Sequence, residues 1–208
     1  MLEIDGLCKS YHGRQVLEPV RFVLPAGCCI GITGENGAGK STLLRLLAQT
    51  EKPDRGDIRF GGKSILGDRA FLRQHVGYVP QQSELMEDLT VRAQLKLWQS
   101  ACGYKGTLGG PVMELLGIQP MLRKRIGTLS GGMQKRVSIA MALMAQPDIL
   151  VMDEATTGLD PDYRERLLAF LEGYLAQGGR MIWCSHIPEE LSRLCGGCLR
   201  LQAGRITE

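Results

Sequence analysis

The sequence predicts an α/β fold in which helices cover a mainly parallel core sheet, and three observations carry the prediction. Short apolar runs alternate with helical patterns along most of the chain. One run leads through Gly34-Glu35-Asn36-Gly37-Ala38-Gly39-Lys40-Ser41 into a helical pattern, the order that a phosphate-binding P-loop requires. Another, Ile149-Leu150-Val151-Met152, ends on the acidic pair Asp153-Glu154, as strands do where open α/β sheets bind ligands.

In chain order, strands are expected at 28–33, 58–60, 76–79, 149–152, 181–184 and 198–201. Helices are expected at 41–48, 132–145 and 161–176, the last carrying Leu167, Leu168, Leu171 and Leu175 at helical spacing. Asp160 supplies that helix with a capping acceptor, and Pro161 suits its first position. Between about 85 and 125 the strand signal disappears. A helical stretch over 90–100, a glycine-rich break over 103–110 and a short helical piece over 111–116 replace it. Together with the helix after 131 they predict a small inserted helical subdomain, at about 85–145. No internal repeat is visible, so residues 1–208 read as one nucleotide domain.

Composition excludes several function classes. Apolar residues form 44% of the chain and charged residues 23%, the balance of a globular protein rather than a disordered one. A net charge of +3 is too small to imply a nucleic-acid partner, and the single basic run Arg123-Lys124-Arg125 reads as a solvated loop. The nearly apolar stretch 137–145 stops at Gln146, far short of the roughly 18–20 residues a membrane-spanning helix needs. Met1-Leu2-Glu3-Ile4-Asp5 lacks the basic-then-apolar pattern of a secretory leader, so a cytoplasmic location is expected. The seven cysteines, an odd count without regular spacing, are expected to be reduced, with Cys28 and Cys29 in the core. Cys195-Gly196-Gly197-Cys198 has the spacing of a metal knuckle, but a four-thiolate zinc site needs two such pairs.

The P-loop residue types serve a multiply charged phosphate. Glycines let the backbone turn successive N–H groups inward, and the following helix points its positive end at the same place. Lys40 would reach the β and γ phosphates and Ser41 would set its hydroxyl on Mg²⁺; the candidate ATP contacts run from Gly34 to Thr42. Asp153 suits the same Mg²⁺, a hard cation that prefers oxygen. Glu154, one residue further, is placed to orient or deprotonate an attacking water.

Thr128-Leu129-Ser130-Gly131-Gly132-Met133-Gln134 precedes these acids and opens another helix. With it the chain resembles the ATP-binding subunits of ABC transporters, whose signature is Leu-Ser-Gly-Gly-Gln; Met133 stands at the fifth place. Phosphate contact there rests on the serine hydroxyl and backbone N–H groups, so that departure matters little. The resemblance extends over the whole chain and implies an N-terminal antiparallel β subdomain. It also implies a Q-loop glutamine at Gln81, meeting Mg²⁺ and attacking water, with Gln82 as the adjacent alternative. Asp160 of Gly158-Leu159-Asp160 falls in the D-loop, His186 matches the switch histidine on the γ-phosphate, and Tyr11 matches the aromatic that stacks on adenine. In this family two nucleotide domains face head to tail, so ATP on one P-loop is clamped by Ser130, Gly131 and Gly132 of the other. A second nucleotide domain, most simply another copy of this chain, is therefore an expected partner.

Integral membrane permease subunits are the other expected partner, placing the chain on the cytoplasmic face of the membrane. The expected dock lies between Gln81 and Trp98, where Met86, Leu89, Val91, Leu95, Leu97 and Trp98 form an apolar set. Glu87-Asp88-Leu89-Thr90-Val91 and the helix after it resemble subunits paired with ABC-2 type exporters, by fold-level analogy. Three other readings stand beside this one: a haem-export or importer subunit, a soluble ABC ATPase not engaged in transport, and a monomeric P-loop kinase. The kinase would leave Ser130 to Gly132 unexplained.

Overall fold

The computed structural model describes residues 1–207. Strands β1 (Leu2–Tyr11) and β2 (Arg14–Leu24) form a long hairpin, turned at His12 and Gly13, both with positive φ. β4 (Arg55–Phe60) pairs antiparallel with β1, and β5 (Lys63–Ser64) with β4, completing a four-stranded sheet ordered β2-β1-β4-β5. Of this sheet only 58–60 stands out in the sequence. Irregularities in the β1 register, beginning around Gly6, shift burial from Leu2 and Ile4 to Leu7 and break the alternation that marks a strand.

The second sheet has six strands, ordered β10-β9-β3-β8-β7-β6. Its parallel members are β3 (Cys29–Gly34), β6 (Val76–Val79), β7 (Ile149–Asp153), β8 (Arg180–Cys184) and β9 (Gly197–Gln202), while β10 (Arg205–Ile206) closes antiparallel on β9. The five parallel strands match five of the six expected runs within a few residues at each end, the sixth being 58–60 in β4; β10 was not expected. Both faces are covered, which is why β7 is apolar without alternation. Ile149 and Val151 enter a core with α1 (Lys40–Leu47) and the first sheet; Leu150 and Met152 enter one with α5 (Gly131–Leu143) and α6 (Pro161–Ala176).

Two further helices, α2 (Arg69–His75) and α7 (Pro188–Leu194), have no counterpart in the sequence reading; each is only seven residues long, too short for a clear apolar stripe. In the inserted region α3 (Val91–Cys102) and α4 (Pro111–Leu115) lead through turns at Gln119–Met121 and Ile126–Thr128 into α5. Val91, Leu95, Met113, Leu116 and Ile126 are buried there, continuous with the core beneath α5 and α6. Thr90, Ser130 and Asp160 cap α3, α5 and α6 with their side chains. No helix among the described residues is long and apolar enough to cross a membrane.

Candidate functional site

The P-loop joins β3 to α1. Gly39 caps α1 at φ +103, a conformation costly for any residue with a Cβ, and a Cβ there would also lie 3.0 Å from the Val16 carbonyl. It gives α1 no side-chain acceptor, so the first N–H groups of the helix are left for an outside anion. Lys40, only 8% exposed, folds over the loop and donates to the carbonyls of Gly34 (2.7 Å) and Glu35 (2.9 Å). Those bonds hold the ammonium against the start of the same loop. Thr42 Oγ1 accepts from Arg45 at 3.4 Å.

Asp153 ends β7 and is 2% exposed. Burial pushes its carboxyl above the usual range, opposed by hydrogen bonding from Ser41. A buried carboxylate beside a serine hydroxyl is an oxygen donor set that fits a divalent cation such as Mg²⁺. Glu154 follows in the left-handed region, φ +48, with its N–H held by the Cys184 carbonyl at 2.9 Å. Such strain in a non-glycine residue is retained where the surroundings fix it, and here it aims the carboxylate at the end of β8. Glu154 Oε1 lies 3.1 Å from His186 Nε2, and His186 shares an open cleft with Thr33, Gly34, Glu35, Asn36, Cys198 and Arg200.

Glu190 on α7, which the sequence did not single out, ties these loops together. It is 1% exposed and accepts from Thr156 Oγ1 (3.0 Å), Ser185 Oγ (2.7 Å) and Arg164 Nε (2.8 Å). Ser185 precedes His186, Thr156 follows Glu154 by two residues, and Arg164 lies in the first turns of α6 after Asp160. One buried carboxylate thus holds three site-bearing segments. In sequence it is a glutamate on a helix too short to show which of its faces is buried.

Ser130, Gly131 and Gly132 do not join the P-loop cluster of the same chain. Ser130 Oγ accepts from the Met133 N–H at 3.3 Å, and Ser130 and Gly131 are exposed. Gly132 packs so closely on the Gly158 carbonyl that a Cβ would collide with it, joining signature turn and D-loop. Asp160 is exposed and caps α6 through the Asp162 N–H. Arg136 strengthens the joint, donating to the Leu116 carbonyl at 3.2 Å and stacking 4.0 Å over the Tyr163 ring. Gln81 and Gln82 have exposed side chains, but the carbonyls of Pro80 and Gln81 accept from Lys135 Nζ at 3.0 and 2.6 Å. Lys135, also outside the sequence-derived set, is buried. Desolvation lowers its pKa against the opposing charges of Asp153 and Glu154.

Tyr11 ends β1 half-buried, its hydroxyl donating to Glu51 at 2.6 Å, and Glu51 in turn accepts from Arg45 of α1 at 3.3 Å. The expected dock divides. Val91 and Leu95 are fully buried and Leu89 is half-buried, whereas Met86 (55%), Leu97 (50%) and Trp98 (37%) are exposed. Helix α3 turns its 91 and 95 positions into the core, one turn apart on the same face, so these two cannot meet a partner.

Residues 17–157 match the protein family described as ABC transporter. The Nod factor export ATP-binding protein I of Paraburkholderia xenovorans is 37% identical over 208 residues, which cover 98% of this chain and 68% of that protein. Its counterpart in Ralstonia nicotianae is 36% identical, covering 99% and 65%. A solved ATP-binding subunit of an ABC transporter superposes with a TM-score of 0.91 at 30% identity, over 100% of this chain and 88% of that one. A dimeric ATP-binding cassette bound to ADP and Pi shares the fold, with a TM-score of 0.86 at 24% identity over 100% and 97% of the two chains.

Proposed function

The chain belongs to the ABC transporter family as its ATP-binding, ATP-hydrolysing subunit, and from that premise we propose how its residues divide the work. ATP lies along the P-loop, with the phosphates on the N–H groups of Gly37 and of Gly39 to Thr42, Lys40 on the β and γ phosphates and Tyr11 against adenine. Ser41, Asp153 and Gln81 would hold Mg²⁺, which would supply charge to offset that of the phosphates. Glu154 accepts the proton of the attacking water while His186 holds the γ-phosphate side of the same cleft. The observation that carries this reading is the 3.1 Å contact between Glu154 and His186 at the carboxyl ends of neighbouring parallel strands, beside the P-loop.

Ser130, Gly131 and Gly132, exposed or half-exposed, offer a second helix N-terminus to the γ-phosphate on another copy, so ATP favours the closed pair and hydrolysis releases it. Permease subunits take up this motion at the exposed part of the 81–98 region, on the cytoplasmic face of a membrane. Export is the direction carried by the relatives' names. No observation favours a soluble ATPase outside transport. The test is Glu154→Gln, which keeps shape and hydrogen bonding but removes basicity. With its membrane partner and saturating ATP it should lose hydrolysis by about 10²–10⁴-fold while accumulating as an ATP-dependent dimer, read by light scattering, and Ser130→Arg should dissolve that dimer. Parental hydrolysis without nucleotide-dependent closure would overturn the reading.

A further inference from the structure

Three of the seven thiols converge on Gly31, in the middle of the strand that delivers the P-loop. A Cβ at Gly31 would lie 2.6 Å from Cys198 Sγ and 3.4 Å from Cys195 Sγ, so both sulfurs occupy the room a side chain would take. Cys29, two residues earlier and therefore on the same face of β3, brings its Sγ to 3.2 Å from Cys195 Sγ. The backbone already fixes this approach, because the Gly196 N–H donates to the Cys29 carbonyl at 3.1 Å just before β9 pairs with β3. Cys29 is buried, Cys195 is half-buried and Cys198 is exposed.

We propose that Cys195 and Cys29 form a redox-sensitive dithiol that a hydroperoxide closes to a disulfide. Cys195, the more accessible of the two, attacks one oxygen of hydrogen peroxide; an S–O bond forms, the O–O bond breaks, and the departing oxygen leaves as water. Cys29 then attacks the Cys195 sulfur. The S–S bond forms, the S–O bond breaks, and a second water carries away the remaining proton. Two thiols lose two electrons, which reduce one peroxide to two waters. The hydrogen bond shared by the two sulfurs lowers the pKa of Cys195 and raises that of Cys29, while burial raises that of Cys198. The sulfurs need approach by only about 1 Å to bond. The product ties β3 to the end of α7, the helix that carries Glu190. Metal binding is the competing use of three thiols, but no cluster of metal-ligating geometry occurs among the described residues.

The experiment treats the reduced full-length protein with hydrogen peroxide, digests it without reductant and maps cysteine peptides by mass spectrometry. The expected product is a Cys29–Cys195 linked pair, lighter by two hydrogens and lost with dithiothreitol. Cys195 should react about tenfold faster than Cys8. In Cys29→Ala the sulfenic acid on Cys195 has lost its resolving thiol and should accumulate as a dimedone adduct, while the parental protein shows little. A dominant Cys195–Cys198 or Cys28–Cys195 link, a Cys195 no faster than Cys8, or one equivalent of Zn²⁺ retained through dialysis with all three thiols protected would each overturn the proposal. The parental digest decides even if the variant folds poorly.

Discussion

The loop before α1 and the loop before α5 are both glycine-rich helix N-termini, yet their surroundings differ in chemistry. Around the first converge Lys40, Ser41, Asp153, Glu154 and His186, drawn from one helix and the ends of two neighbouring strands. Around the second, Ser130 bonds its own turn and Gly132 rests on the Gly158 carbonyl, and among the described residues no acidic or basic side chain bonds to the exposed pair Ser130 and Gly131. No hydrogen bond or ion pair among the described residues joins the two loops. On the function proposed above, the first edge cuts a phosphate bond, whereas the second only recognises a phosphate. A chain built this way is suited to use its second edge on a neighbour's nucleotide.

The largest effect that would break this comparison comes from mixing two inactive variants. Lys40→Ala removes the charge that follows the phosphates, and Ser130→Arg blocks the recognising edge; each alone should lower hydrolysis by at least about 10²-fold in the presence of the membrane partner. A mixed dimer has one composite site carrying both lesions and one carrying neither. Half of randomly paired dimers are mixed, so the mixture should recover about a quarter of parental ATPase activity. Absence of recovery, with mixed dimers demonstrated by differently tagged copies, would show that both edges act within one chain.

The next effect sharpens the first edge. Glu190→Ala strips Thr156, Ser185 and Arg164 of their shared acceptor and should destabilise the fold by about 3 kcal/mol, near the lower end for a broken buried pair because Arg164 is partly exposed. Glu190→Gln retains two of the acceptor contacts in shape and should fold, yet kcat should fall more than ATP affinity, since Ser185 and Thr156 stand beside His186 and Glu154, the groups proposed to act on the γ-phosphate and the attacking water. A loss in ATP affinity equal to the loss in kcat would assign Glu190 to the scaffold alone.

The same contrast explains what was legible in the sequence. The first edge is built from residues close together in the chain, Gly34 to Ser41 and Asp148 to Glu154, each set by a strand ending at a turn, so pattern and geometry coincide. The parallel strands were legible because burial on both faces demands continuous apolar runs, as in β7. The first hairpin was not, since its β1 irregularities destroy the period of two. Glu190 and Lys135 were invisible for another reason: a buried charge satisfied by partners 5 to 34 residues away, or 54 and 55, looks in sequence like any surface charge. Likewise Val91 and Leu95 share the composition of a docking surface, and only the orientation of α3 separates them from Leu97 and Trp98.

A smaller effect concerns the strut between the two edges. Lys135 starts on the signature helix and ends on the Gln81 carbonyl, so Lys135→Met leaves two acceptors without their donor. A cost of about 1–3 kcal/mol is expected in urea denaturation. Lys135→Arg should restore most of it. If Lys135 positions Gln81, the methionine variant should lose hydrolysis at saturating Mg²⁺ and ATP more than it loses nucleotide affinity; unchanged turnover would make the strut structural only.

The smallest effect on the isolated chain is expected at the dock. Met86 and Leu97 are more than half-exposed or close to it, so charge there desolvates nothing on folding, and Met86→Glu and Leu97→Glu should each change stability by no more than about 0.5 kcal/mol. Trp98 is a poorer choice because its indole N–H donates to the Met141 carbonyl at 2.7 Å, and Leu95→Glu would bury a charge and disrupt the packing of α3. With nucleotide binding intact, the two exposed substitutions should weaken co-purification with the membrane subunits and uncouple ATP hydrolysis from transport. Full transport by the Met86→Glu, Leu97→Glu double variant would remove this surface from the interface, leaving the apolar side chains of α3 to be explained by something other than a permease.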